Sequence, residues 1–130
     1  MPLIEWNEHF SVNEIFLDSH HNKLLNIINN LYDAIQNNKS SQDIKAIVLD
    51  LISYTKYHFT EEELLLAKNN YAQLEQQKEA HAIFLDKAWG YLEHLHTDYN
   101  KTGNEAFEFL KTWWNQHILE LDMQYKDIFH

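Results

Sequence analysis

Apolar residues recur along this chain at intervals of three and four, the spacing that aligns them on one face of an α-helix. Four separate stretches carry such a stripe. In chain order they are Leu24, Ile28, Leu31 and Ile35; Ile44, Val48 and Leu51; Leu74, Phe84, Ala88, Leu92 and Leu95; and Phe107, Leu110, Trp114 and Leu121. Four such helices with short connections predict an all-α fold, an antiparallel up-down-up-down four-helix bundle.

Polar residues between the stripes mark where the helices are expected to end. The run 36–41 separates the first two helices, and Ser41 is the expected N-cap of the second. Asn69 and Asn70 are expected to end the second helix, and a turn around residues 97–103 is expected before the fourth. Because these breaks are short, consecutive helices are expected to run antiparallel.

Residues 1–11 lack helical spacing and are expected to form an extended N-terminal arm. Ile4, Trp6 and Phe10 are the arm residues that can pack on the bundle. The chain contains no low-complexity linker and is long enough to bury a core. Residues 1–130 are therefore predicted to form one domain.

Composition agrees with long helices and narrows the possible functions. The chain has 2 Gly and 1 Pro, so helix breakers are scarce. It has no Cys, which excludes disulfides and thiolate metal sites. The formal net charge is −10 and every basic residue is lysine, which disfavours nucleic acid as a partner. No apolar run is long enough to span a membrane and the N-terminus lacks a secretion-signal pattern, so a cytoplasmic location is expected.

Six polar residues occupy stripe positions where a bundle core normally has leucine. Burying one unpaired imidazole or carboxylate costs on the order of several kcal/mol, so such groups on all four helices need a shared partner. A metal centre satisfies them together, because imidazole and carboxylate groups on facing helices converge at the bundle axis. The candidate ligands are His21, His58, Glu62, His81, His117 and Asp122.

The spacing of these residues indicates how they could share metal ions. His58 and Glu62 are four residues apart, so they lie roughly 5–6 Å apart on one helix face. His117 and Asp122 are five residues apart, which on a regular helix places them on diverging sides. Either Asp122 reaches sideways, or the helix is locally widened into a π-helix, as happens at functional sites. Two carboxylates from different helices could then bridge a metal pair, with histidines in the outer positions.

The polar neighbours of these residues have plainer interpretations. Glu61 and Glu63 flank Glu62 and are expected on the solvated face of the helix. His20 either faces solvent or contacts one of the ligand residues. Neither interpretation changes the expected ligand set.

As a set, these motifs resemble the hemerythrin family, and specifically the bacterial single-domain hemerythrins. The order and the intervals of the motifs match along essentially the whole chain. The matching stretches are Asp18-Ser-His-His21 with Leu24; His58-Phe-Thr-Glu-Glu62; Tyr71 followed by Gln77-Lys-Glu-Ala-His81; and Trp113-Trp-Asn-Gln-His117 with Asp122 and Tyr125, together with the early Trp6. One HxxxE motif would be weak evidence, whereas this ordered set is specific.

The resemblance implies a centre of two non-haem iron ions that binds dioxygen reversibly. The implied ligands are His21 and His58 for the iron with the open position, His81 and His117 for the other iron, and Glu62 and Asp122 as bridges beside an oxo or hydroxo group. The residues that match positions lining an apolar dioxygen pocket are Leu24, Phe59, Trp113 and Ile118. An apolar wall excludes water and slows oxidation of the metal.

One position departs from the family pattern, because Gln77 stands where the family has a third histidine on the second iron. Gln77 could bind that iron through its amide oxygen, which is a weaker donor than imidazole. Water or hydroxide could occupy the position instead. Alternatively, the second iron could be held so weakly that its site is partly empty.

The expected function is therefore dioxygen binding, in carriage, storage or sensing, rather than enzymatic catalysis. One alternative is a di-iron peroxidase or oxidase that uses the position opened by Gln77, with peroxide as a partner. Another is a metal-free bundle that acts through protein contacts. No particular protein partner is predicted.

Overall fold

Four helices account for most of the chain and confirm the predicted all-α bundle. The structure, a computed structural model, describes residue 6 and residues 8–95 and 99–128. The helices are α1 (Ile15–Gln36), α2 (Ser41–Lys68), α3 (Leu74–His94) and α4 (Tyr99–Trp113). Helix α1 packs on α2, α2 on α3 and α3 on α4, and α4 returns to α1, which closes the bundle. No helix in the described part of the chain is long and apolar enough to cross a bilayer.

The predicted stripes form the core of the bundle. Leu24 and Ile28 of α1 and Trp114 after α4 are fully enclosed. Val48 and Leu51 of α2 belong to the same apolar cluster. Part of this cluster also packs against the polar candidates.

Side-chain caps fix the starts of the first two helices. The Glu14 carboxylate accepts a hydrogen bond from the Leu17 amide at 2.7 Å, and the Ser40 hydroxyl accepts one from the Asp43 amide at 3.1 Å. The prediction of Ser41 as the second cap was wrong by one residue, because Ser41 is already helical whereas Ser40 has extended backbone angles.

The connection before α4 is shorter than predicted. Helix α4 begins at Tyr99, so most of the expected turn at residues 97–103 is helical instead. Residues 96–98 lie outside the described part of the chain. Gly103 lies within the helix and against α1, where an added Cβ would meet the Ile35 side chain at 3.7 Å.

The described residues of the N-terminal arm pack on the bundle, and residues 8–10 are helical rather than extended. Glu8–Phe10 form a short 3₁₀ turn. The Phe10 ring is buried edge-to-face on Trp114, with 5.4 Å between centroids, and the Trp6 ring lies 5.6 Å from that of Phe10. Ile4 falls outside the described residues. That residues 1–130 form one domain stays a prediction.

Candidate metal centre

The structure brings all six candidate ligands together inside the bundle. Helix α1 contributes one residue, α2 two, α3 one and the segment after α4 two, and each residue is at most 4% exposed. They are His21, His58, Glu62, His81, His117 and Asp122.

The Glu62 carboxylate lies between two sets of histidines. Its Oε2 atom is 3.4 Å from Nε2 of His21 and 3.3 Å from Nε2 of His58. Its Oε1 atom is 2.9 Å from Nε2 of His81. Each oxygen of Glu62 therefore faces a different histidine set.

Asp122 has the same arrangement on the opposite side of the site. Its Oδ2 atom is 3.4 Å from Nε2 of His21, and its Oδ1 atom is 3.2 Å from Nε2 of His117. The site therefore contains two groups of potential ligand atoms. One group is His21, His58 and Glu62, and the other is Glu62, His81 and His117, so the Glu62 carboxylate belongs to both. Two metal ions bridged by carboxylates fit this donor set.

A π-helix places Asp122 beside His117. The chain leaves α4 as a π-helix over Trp114–Leu121, and the Asp122 amide donates to the His117 carbonyl, five residues earlier. A five-residue turn puts both side chains on one face, so the widened turn is the alternative that the structure supports. A 3₁₀ segment, Asp122–Ile128, follows.

Several buried polar atoms at the site lack hydrogen-bond partners, which is the arrangement expected for metal ligands. Both Asp122 oxygens and Oε1 of Glu62 are enclosed and receive no well-aligned hydrogen bond. His81 and His117 direct Nε2 atoms at each other 3.2 Å apart. Because unsatisfied buried acceptors are costly, a cation between them fits the residues present.

Two further contacts orient the candidate ligands from outside. Nδ1–H of His81 donates to Oε2 of Glu63 at 2.8 Å, which leaves the lone pair of Nε2 directed at the site. The expectation that Glu63 lies on the solvated face was therefore wrong: its side chain is 25% exposed because it faces α3. The hydroxyl of Tyr125 donates to Oε2 of Glu62 at 2.8 Å.

His20 contacts a candidate ligand rather than facing solvent. Its Nδ1 atom lies 3.0 Å from Nδ1 of His58. Burial and, to a smaller extent, the neighbouring His21 lower the pKa of His20. The neutral His20 ring can therefore accept a hydrogen bond at Nδ1. Since Nε2 of His58 faces the site, Nδ1 of His58 is the donor of this pair.

The pKa values of Glu62 and His58 favour the protonation states in which these residues bind metal: an ionised carboxylate and a neutral imidazole. Burial alone raises the pKa of Glu62, but His58 and the contacts with His21 and His81 hold it well below its usual range. Burial lowers the pKa of His58. For His21 and His81, burial is outweighed by Glu62, so their pKa values are raised. A bound cation would replace those protons as the partner of the carboxylates.

The four expected pocket residues are all buried, but two of them pack on one half of the site. The Phe59 ring stacks on His81 with 3.8 Å between centroids, and the Trp113 ring stacks on His117 at 4.8 Å. Leu24 and Ile118 are fully enclosed. Phe59 also approaches His58 at 5.8 Å, so its ring lies between the two histidine sets.

A cleft of about 360 Å³ opens between α3 and the end of α4. Its lining is mostly apolar and includes Ala80 and Phe84 from one side, and Trp113, Gln116 and His117 from the other. A candidate ligand, His117, therefore lines a surface that solvent can reach.

We expect Glu63→Gln to weaken binding of the metal beside His81 by about 10–100-fold, the usual effect of losing a partner that orients a ligand. The amide cannot match the carboxylate as acceptor for Nδ1–H. Titration of the metal-free protein with ferrous iron measures this affinity. Glu79→Gln, an exposed change on α3, is the control, and equal affinities in both variants would contradict the role of Glu63.

Buried histidines and carboxylates that could hold two metal ions inside a four-helix bundle are typical of helical di-metal proteins. Comparison with known proteins gives the family. Residues 15–128 match the hemerythrin HHE cation-binding domain. The bacteriohemerythrin of Clostridium acetobutylicum is 32% identical over 126 residues, which cover 94% of this chain and 98% of that protein. A hemerythrin-like protein of Naegleria gruberi is 32% identical over 123 residues, 95% of this chain and 91% of that one.

The fold comparison agrees with the sequence comparison. A crystal structure of wild-type hemerythrin superposes with a TM-score of 0.85 at 23% identity and covers 98% of both chains. This chain belongs to the hemerythrin family. It is accordingly a di-iron, dioxygen-binding protein rather than an enzyme.

Proposed function

We propose that this chain binds dioxygen reversibly at an iron pair held by the six buried ligands. His21 and His58 hold one iron, His81 and His117 hold the other, and Glu62 and Asp122 bridge them. The observation that carries this assignment is that the two groups of ligand atoms share Glu62. Asp122 supports it, since its two oxygens face histidines of different sets.

The residues around the centre favour reversible binding. When bound, the iron pair supplies the electrons that dioxygen binding requires. His21, Glu62 and Asp122 are fully enclosed, and the Phe59 ring closes the space between the histidine sets. On the side of His21 and His58, this enclosure excludes water and slows the escape of charged oxygen species, which protects the metal from irreversible oxidation.

The proton on Tyr125 is also held in place. Burial, with the nearby charges of Asp122 and Glu62, raises its pKa well above the usual range. The hydroxyl therefore remains a donor to Glu62 at neutral pH and fixes the orientation of that carboxylate.

We also propose where the protein is located and which partners it lacks. The proposed location is the cytoplasm, which the cysteine-free composition supports. The net charge of −10 supports a role that does not involve nucleic acid.

The proposal is tested by loading the metal-free protein with ferrous iron under anaerobic conditions and then admitting oxygen. We expect about two irons per chain, as two ligand groups require. A visible absorption band should form with oxygen and disappear when oxygen is removed, over repeated cycles. Immediate oxidation that removing oxygen does not reverse would contradict reversible binding. Oxidation accompanied by rapid peroxide turnover would support the peroxidase or oxidase alternative.

A further inference from the structure

Gln77 is a buried polar residue that belongs to neither group of candidate ligand atoms. It lies on α3 one turn before His81, is fully enclosed, and neither atom of its amide has a hydrogen-bond partner. Leaving a buried amide unpaired costs free energy. Because Gln77 lies one turn before a candidate ligand, a small molecule or ion bound to the metal could be the hydrogen-bond partner of its amide.

The candidate ligands leave a coordination position on the metal for such a species. Each proposed iron receives two imidazole nitrogens, and each carboxylate can give it one oxygen. Four protein donors and one bridging oxygen leave an octahedral iron short of one ligand. By this count both irons have an open position, and Gln77 lies one turn before His81 on the same face of α3. An uncharged amide oxygen competes weakly there against an anion.

The two sides of the centre differ in access. The cleft between α3 and the end of α4 reaches His117 and is lined by Ala80, which is three residues from Gln77 on the same helix. On the other side, His58 is 1% exposed and is backed by His20. The rings of Phe16 and Tyr57 in turn cover His20, with 4.2 and 5.2 Å between centroids.

We propose that the iron held by His81 and His117 has its own exchangeable position beside Gln77, which small monodentate anions reach through the α3–α4 cleft. The inference rests on the proposed iron pair. An anion fits because Glu62 and Asp122 supply only two negative charges, fewer than two ferric ions carry. The chain then binds two exogenous ligands, one at each metal.

Azide is the probe for this second position. We expect equilibrium dialysis of the ferric protein to give two azides bound per chain, and infrared spectra to show two azide stretching bands. Gln77→His should lose one azide and one band, because an imidazole would occupy the position. Gln77→Ala should keep both. One azide per chain in the unmodified protein, or two in Gln77→His, would overturn the inference.

The route through the cleft has its own test. Thr112→Trp places a large ring in the cleft, and we expect it to slow the association of one azide severalfold while the other keeps its rate. Lys111→Trp adds the same ring to the neighbouring exposed position and should change neither rate. If Thr112→Trp leaves both association rates unchanged, the cleft is not the route.

Failure of the proposed function would be recognised separately. Iron content and reversible oxygen binding are measured on the same samples before azide is added. Fewer than two irons per chain would refute the iron pair itself. Two irons with reversible oxygen binding but a single azide would refute only the second ligand position.

Discussion

Glu62→Ala is expected to abolish binding of both metal ions. Glu62 belongs to both groups of ligand atoms, and each of its oxygens faces a different histidine set. Loss of a residue that only orients a ligand lowers metal affinity by up to roughly 100-fold. Loss of a ligand shared by both metals should lower the affinity of each site by more than that. Iron per chain after anaerobic loading and gel filtration should fall from two to nearly none.

The matched control is Glu61→Ala, which removes the preceding glutamate of the same acidic run. This residue is partly exposed, and its loss should leave iron content unchanged. Circular dichroism should show both variants to be helical, since neither glutamate belongs to the apolar cluster that forms the core. If Glu62→Ala retained one tightly bound iron, Glu62 would not be the shared ligand.

Loading the metal-free protein with ferrous iron at both sites is expected to raise its melting temperature by roughly 25–40 °C. Free iron at a thousandfold excess over Kd stabilises the folded state by about 4 kcal/mol per site, and about 1 kcal/mol shifts the melting temperature of such a domain by several degrees. The physical reason is that buried atoms of Asp122 and Glu62 gain a partner. Differential scanning calorimetry under nitrogen measures the shift.

Two controls separate this stabilisation from nonspecific ion binding. Magnesium should give little shift, because it prefers oxygen ligands and the site is rich in imidazole. Glu62→Ala should not respond to iron. The metal-free alternative makes the opposite prediction: iron would not raise the melting temperature, and His58→Leu would stabilise the fold without loss of any activity.

The bundle and the clustering of the six candidate ligands could be predicted from sequence because both depend on local periodicity. A helical stripe fixes which residues face inward, and a polar residue on such a stripe is conspicuous. Spacing alone left two options for His117 and Asp122, since side-chain reach and backbone widening both bring them together. Only the backbone, with a π-helix over Trp114–Leu121, distinguishes them.

Contacts between helices were harder to predict, because they depend on how each helix is rotated. Glu63 lies at the margin of the α2 stripe, and a small rotation decides whether it meets solvent or His81. No spacing in the sequence carries that information. Ser40 and Ser41 are both good caps, so the choice between them depended on the backbone angles at the end of the loop.

The central claim is that two metal ions share the carboxylates at the centre of the bundle. Mössbauer spectroscopy of the protein loaded with iron-57 and oxidised tests it most directly. The proposed geometry predicts two irons per chain whose spins are coupled through their bridges, which gives a diamagnetic ground state at low temperature. One iron per chain, or two irons with the magnetic spectra of isolated high-spin ferric ions, would contradict it.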